Sequence, residues 1–121
     1  MEKLRSLVIK HNIDILGLTE LNKRWSAVPD EQTIWRAINK WTQHARTYAS
    51  YNAHDPGFSQ QLYGGTSLSV FNRHIHSIFK KGSDATGWGR WTWLEMQGKN
   101  NRNTLIVTAY CPCNSASPKS V

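Results

Sequence analysis

The chain has 121 residues, of which 39% are hydrophobic, and a formal net charge of +7. This length allows one domain or part of one, and the hydrophobic content excludes a wholly disordered chain. The positive charge favours polyanions such as nucleic acid as partners, and a solvated basic surface is the alternative. The six tryptophans are expected to supply much of the core, because each large ring buries considerable apolar area.

The sequence also bears on the compartment. No apolar run is long enough to cross a membrane, and the N-terminal segment MEKLRSLVIK lacks the features of a signal peptide. Cys111 and Cys113 flank a single proline, so a bridge between them would be strained, and two thiols are too few for a zinc site. We interpret both as reduced, structural thiols. These features predict an intracellular protein, cytoplasmic or nuclear, without a membrane partner.

The N-terminal residues predict an amphipathic helix that leads into a buried strand. Charged residues separate apolar positions at helical spacing over residues 3–11. The positions that share this spacing are Leu4, Leu7, Val8 and His11. The following run IDILGLT, residues 13–19, is almost continuously apolar, which is typical of a strand buried on both faces. A helix that feeds such a strand indicates an α/β architecture.

A second helix and strand are predicted next along the chain. Pro29-Asp30 provides a turn and an N-cap for a helix over about residues 31–42. Residues 46–51 predict a strand, and the polar, turn-forming segment NAHDPGFSQQLYGG predicts a loop.

From Gly64 onward the apolar residues alternate with a period of two, which predicts four strands. The segments are GTSLSVF, HIHSIFK, RWTWLEM and NTLIVTAY. Residues 115–121 have no periodicity and are expected to form a disordered tail. The predicted order is therefore helix, strand, helix, strand, followed by an antiparallel meander.

Histidines in this part of the chain allow two interpretations. If His74 and His76 lie on one strand, alternation puts both on one face, where they could hold a metal with a third ligand. The alternative is an exposed hairpin strand without a ligand. The loop pair His54-Asp55 is given no role.

Three segments, in this order, resemble landmarks of the endonuclease/exonuclease/phosphatase superfamily. IDILGLTEL places Glu20 at the carboxyl end of a buried strand. YGGTSLSVF is followed downstream by GWGRWTWLEM, in which Gly89-Arg90 opens a strand, and LIVTAYCPC contains a strand that ends in Tyr110. The order and spacing agree over about residues 4–114, and GRWTW resembles versions of the domain found in retroelements.

The resemblance implies the N-terminal half of that domain, over residues 1–114. The expected fold is α/β, half of a four-layer α/β sandwich in which the strands form one mixed sheet. One half alone would leave the inner face of its sheet uncovered, and monomers seldom expose large apolar patches. A second copy or a complementing chain is therefore expected to cover that face.

The resemblance also implies a chemistry, since family members hydrolyse phosphodiester or phosphomonoester bonds with Mg²⁺ or Mn²⁺. Glu20 would be the principal carboxylate ligand; the alternative is a surface glutamate that pairs with Lys23 or Arg24. Tyr110 would orient a phosphate through its hydroxyl, or else be a partly buried aromatic at a strand end. Arg90 is expected to be architectural.

Several catalytic landmarks of the family have no counterpart in the sequence. They are the first strand with its Asn, the Asp-x-Asn segment and the C-terminal Asp-His pair. A single carboxylate holds Mg²⁺ weakly. The sequence therefore predicts a truncated, metal-dependent phosphodiesterase or endonuclease-like domain that is inactive alone and needs the missing half or a partner. The alternative is a non-catalytic assembly or structural module that self-associates, and nucleic-acid binding would be compatible with either.

Overall fold

In the computed structural model, which describes residues 2–23, 25–54 and 64–111, two helices lie beside two three-stranded antiparallel sheets. The helices and strands, in chain order, are α1 (Glu2–Lys10), β1 (Ile15–Leu18), α2 (Ile34–Asn39), β2 (Ala45–Ser50), β3 (Thr66–Phe71), β4 (Ile78–Ser83), β5 (Trp91–Gln97) and β6 (Asn103–Ala109). Short 3₁₀ helices lie at Trp25–Ala27, Asp30–Gln32, Asn72–Ser77 and Lys99–Asn101.

The first sheet has the strand order β1-β3-β2, and its central strand β3 is buried at every residue. Leu68 of β3 pairs with Gly17 of β1 on one side and with Tyr48 of β2 on the other. On one face of this sheet, Phe71 packs against Val8 of α1 and Ile38 of α2. The two helices therefore cover that face.

The second sheet is the meander β4-β5-β6, and it covers the other face of the first. Leu68 and Val70 of β3 pack against Leu94 and Met96 of β5, and this cluster forms the core between the sheets. Between the sheets, the Thr66 and Thr92 hydroxyls are hydrogen-bonded at 2.8 Å. The described residues thus form three layers: helices, first sheet and second sheet.

The antiparallel meander of the prediction is confirmed for its last three strands, β4, β5 and β6, but its first strand, β3, lies in the other sheet, and the single mixed sheet is wrong. Every strand pair is antiparallel, and the strands divide into two sheets. The reason is that β1 and β2 occupy both edges of β3, so β4 cannot pair with it; the 3₁₀ segment Asn72–Ser77 leads the chain into the second layer. The expected uncovered inner face is also wrong, because the second sheet of the same chain lies on it.

Two local predictions are wrong as well. His74 and His76 lie in the 3₁₀ helix Asn72–Ser77, so they do not share a strand face. The second helix is shorter than residues 31–42, because Asp30 belongs to a separate 3₁₀ turn and Thr33 takes the N-cap position of α2. The Thr33 hydroxyl donates to the carbonyl of Asp30 at 2.7 Å, which joins the turn to the helix.

Tryptophan contributes less to the core than the composition indicates. Trp25 is buried and Trp41 packs at the edge of the helix-facing cluster, but Trp88 and Trp91 are exposed. The fully buried apolar positions belong instead to aliphatic residues and one phenylalanine: Ile38, Leu68, Val70, Phe71 and Leu94. Of these, Leu68, Val70 and Leu94 fill the space between the two sheets, and Ile38 and Phe71 lie on the helix side.

Within the three described ranges, no helix combines the length and the apolar character needed to cross a membrane. Cys111 is exposed. The predictions for Cys113, for Asp55 and for a disordered tail at 115–121 lie outside the described residues.

Candidate functional site

Two strands from different sheets bring the predicted site residues to one end of the sandwich. Gly17 of β1 lies so close to Thr108 of β6 that a Cβ at Gly17 would be 2.6 Å from the Thr108 hydroxyl oxygen. Both strands run toward this end, because β1 and β6 each pair antiparallel with a strand whose first residues lie there. Glu20 follows β1 by two residues and Tyr110 follows β6 directly, so both residues lie at this end.

Glu20 lies in a turn whose neighbours are held by backbone hydrogen bonds. Its φ of 55° is in the left-handed region, which is uncommon for a residue with a side chain and more frequent at functional sites. The Leu21 and Asn22 amides donate to the carbonyls of Gly65 and Gly64 at 3.2 and 2.9 Å. The Gly64 amide donates in return to Asn22 Oδ1 at 3.0 Å. The turn is fixed while the Glu20 side chain remains exposed.

Glycines allow the backbone segments at this end to approach one another closely. The Gly65 amide donates to the carbonyl of Gly89 at 2.8 Å, and both residues have positive φ. A Cβ at Gly89 would lie 2.6 Å from the carbonyl carbon of Tyr51. Because real Cβ atoms do not approach backbone so closely, only glycine fits here without a shift.

Asp84 holds in place the loop up to Arg90, to which the backbone of Tyr110 is hydrogen-bonded. Its buried carboxylate accepts hydrogen bonds from the Thr86 hydroxyl and from the backbone amides of Thr86 and Arg90. Burial alone would raise the pKa of Asp84, but these hydrogen bonds and the Arg90 guanidinium outweigh it and hold the pKa below its usual value. The carbonyl of Arg90 then accepts from the Tyr110 amide at 2.7 Å. The backbone of Arg90 therefore joins Asp84 to Tyr110.

Sequence reasoning missed Asp84. The available signal was the segment Ser83–Thr86, in which an aspartate precedes a threonine by two residues, a pattern typical of an Asx turn. A second missed feature is a ring pair at the same end: the centroids of His54 and Trp88 are 3.8 Å apart, and His54 Nε2 is 2.9 Å from the carbonyl oxygen of Thr86. Trp88 is 42% exposed, so its ring is accessible to a partner.

His74 is not brought to this end. It follows β3, which runs away from Glu20, and its Nε2 lies 3.3 Å from Asp14 Oδ1. Across residues 2–23, 25–54 and 64–111, no three His, Cys, Asp or Glu side chains form a group that could hold a metal ion. Mg²⁺ is usually held by one or two carboxylates together with substrate phosphates. Glu20 does not belong to such a group within these ranges.

Comparisons with known proteins add no relative: no family model, no curated protein and no solved structure matched this chain.

Proposed function

We propose that this chain contributes the Glu20 part of a metal-dependent phosphodiesterase or endonuclease site and is inactive on its own. The observation that carries the proposal is that Glu20 and Tyr110 follow strands of different sheets that both end at the same end of the sandwich. The resemblance of the surrounding segments to the endonuclease/exonuclease/phosphatase superfamily supports the choice of chemistry.

The position of Glu20 suits a cation ligand. The carboxylate is exposed in the turn that follows β1, and it forms no ion pair with any described residue. The alternative of an ion pair with Lys23 is not observed, since the Lys23 ammonium lies 5.3 Å from the centroid of the Trp25 ring. The alternative of a pair with Arg24 lies outside the described residues. A phosphate-bearing substrate would be drawn to a chain with a net charge of +7.

Other ligands would come from beyond the described residues or from a second chain. A lone carboxylate gives a divalent cation little to replace its water shell, and Mg²⁺ dehydrates reluctantly. In the four-layer sandwich that the resemblance implies, the remaining carboxylates and a fourth layer would be supplied together. We therefore assign the chain a cation-ligating and phosphate-orienting part, without a catalytic cycle of its own.

Electron paramagnetic resonance of Mn²⁺ tests the ligand assignment. We expect weak Mn²⁺ binding that Glu20→Gln abolishes and that Glu31→Gln retains, because Glu31 is an equally exposed carboxylate in the 3₁₀ turn before α2. Equal effects of the two substitutions would refute the assignment. Plasmid nicking and abasic-site cleavage with Mg²⁺ or Mn²⁺ test the inactivity: Glu20-dependent turnover by the isolated chain would show that the site is complete.

A second candidate function, a self-associating assembly module, is favoured by the outer face of the second sheet. Large apolar side chains remain exposed on all three of its strands, including the central strand β5. These exposed residues are Phe79, Trp91, Leu105 and Val107. On the same sheet Lys80 pairs across the strands with Glu95, so a two-fold related copy could match each charge with its opposite.

Sedimentation velocity at micromolar concentration tests this second candidate. A second copy seated on the outer face predicts a dimer that Leu105→Lys dissociates. Leu7→Lys is the matched control, because Leu7 is 48% exposed on α1, on the opposite side of the sandwich. A monomeric wild-type protein, or equal dissociation by both substitutions, would contradict the assembly function.

A further inference from the structure

A cleft of about 570 Å³ is lined by residues of β2 and β4, an edge strand of each sheet. Small-molecule sites are typically clefts of roughly 300–1,000 Å³. The residues that line it come from β2 and β4, from α2 and the turn before it, and from neighbouring positions; those that bear on a ligand are Asp30, Trp35, Tyr48, Tyr51 and Lys81. The cleft is separate from Glu20, which is not among its lining residues.

Aromatic rings form one wall of this cleft. The rings of Trp35 and Tyr51 are stacked, with centroids 5.8 Å apart and planes 4° from parallel. Trp25 packs behind Trp35 at 5.2 Å, so the pair is supported from within. Tyr48 adds a third lining ring, which packs against the core between the sheets. Rings held in this way are suited to stacking on a planar ligand.

The charges at the cleft favour an anion. The Lys81 ammonium lies 4.8 Å from the centroid of the Tyr48 ring. Among the described lining residues the one carboxylate is Asp30, and Arg36 donates two hydrogen bonds to its Oδ2 at 2.9 and 2.7 Å. The Asp30–Arg36 pair is neutral overall, so Lys81 determines the sign of the charge at the cleft.

We propose that this edge cleft binds a nucleotide, with the base against the aromatic wall and the phosphate at Lys81. A planar ring attached to an anion is the ligand chemistry that combines these two features. Hydroxyl groups of Thr47 and Ser83 also line the cleft and can bond to sugar or base edges. The nucleotide is either a free mononucleotide or one unpaired residue of a nucleic-acid strand, since both present the same groups.

Fluorescence titrations in EDTA test the proposal without any contribution from a metal. The probes are AMP, a fluorescein-labelled oligothymidylate and inorganic phosphate. We expect Tyr51→Leu to weaken nucleotide binding about tenfold, since stacking on one base is worth about that factor or more. We expect Lys81→Gln to weaken it several-fold and to reduce the salt dependence of oligonucleotide binding by about one counterion.

Lys99→Gln is the matched control, because it removes the same charge from an exposed lysine in the turn between β5 and β6. AMP binding that depends on Lys81 but not Lys99 supports a free nucleotide, and binding of the oligonucleotide alone with that dependence supports a strand. Equal effects at the two lysines, phosphate binding as tight as AMP binding, or no binding of any probe would overturn the proposal. These titrations exclude metal ions, whereas the assignment of Glu20 is tested by Mn²⁺ binding, so the two proposals fail separately.

Discussion

The two sheets differ in how far the chain covers them, and their sequences follow that difference. Strand β3 of the first sheet is buried at all six residues, because helices lie on one face and the second sheet lies on the other. Strand β5 of the second sheet alternates, with Thr92, Leu94 and Met96 buried and the residues between them more exposed. A central strand therefore need not be covered on both faces. Within the described residues, no helix or strand covers the outer face of the second sheet.

The largest difference in the free energy of unfolding is expected when two leucines on opposite faces of the second sheet are each replaced by alanine. Leu94 is fully buried between the sheets, whereas Leu105 is 62% exposed on the outer face. Leu94→Ala should lower the free energy of unfolding by about 2–5 kcal/mol, because it removes buried methyl groups and leaves a cavity. Leu105→Ala should change it by about 0.5 kcal/mol or less. Urea denaturation measures both, and similar losses would mean that the outer face is covered.

A smaller effect is expected where loops join the two sheets near Glu20. Gly89 and Gly87 both have positive φ, so alanine strains the backbone at either position. Only at Gly89 would the new Cβ collide with backbone, 2.6 Å from Tyr51, since the nearest atom at Gly87 is 3.5 Å away on His54. Gly87→Ala should cost about 1 kcal/mol and Gly89→Ala about 2–3 kcal/mol. Equal melting temperatures for the two variants would contradict this packing.

Asp84, which lies in the same group of loops, is expected to make the stability of the protein depend on pH. Its lowered folded-state pKa means that its contribution is fully present above the unfolded pKa of about 4 and is lost as pH falls through the folded value. Asp84→Asn should cost about 1–3 kcal/mol at neutral pH, because the hydrogen bonds from Thr86 and Arg90 weaken. Thermal unfolding between pH 2 and pH 7 should show a flatter acid dependence in the variant. An unchanged profile would assign the acid sensitivity to other carboxylates.

Much of the secondary structure could be predicted from sequence, but the division into sheets could not. Alternation places Ser67 and Ser69 of β3 on the face that reads as solvent-exposed, yet both are fully buried beneath the helices. The hydroxyl of Ser69 is satisfied by that of Thr47 at 2.9 Å. Periodicity identifies strands but carries no information about their pairing partners, which here depends on which edges β1 and β2 occupy.

The candidate site was predictable in part. Glu20 and Tyr110 were found through resemblance, and the structure brings them to one end because β1 and β6 lie face to face. Asp84 was missed, since its importance depends on burial and on amides that a fold alone brings together. The cleft at Lys81 was missed for the same reason: its lining residues come from segments that are distant in sequence.

We propose that Glu20 is a cation ligand at the end of the sandwich where Tyr110 also lies. Paramagnetic broadening of backbone amide signals by Mn²⁺ tests it most directly, because broadening falls off steeply with distance from the bound ion. We predict selective broadening at Leu21, Gly65 and Tyr110 that disappears in Glu20→Gln. Broadening centred on Asp14 and His74 at the opposite end, or broadening that Glu20→Gln leaves unchanged, would contradict the claim.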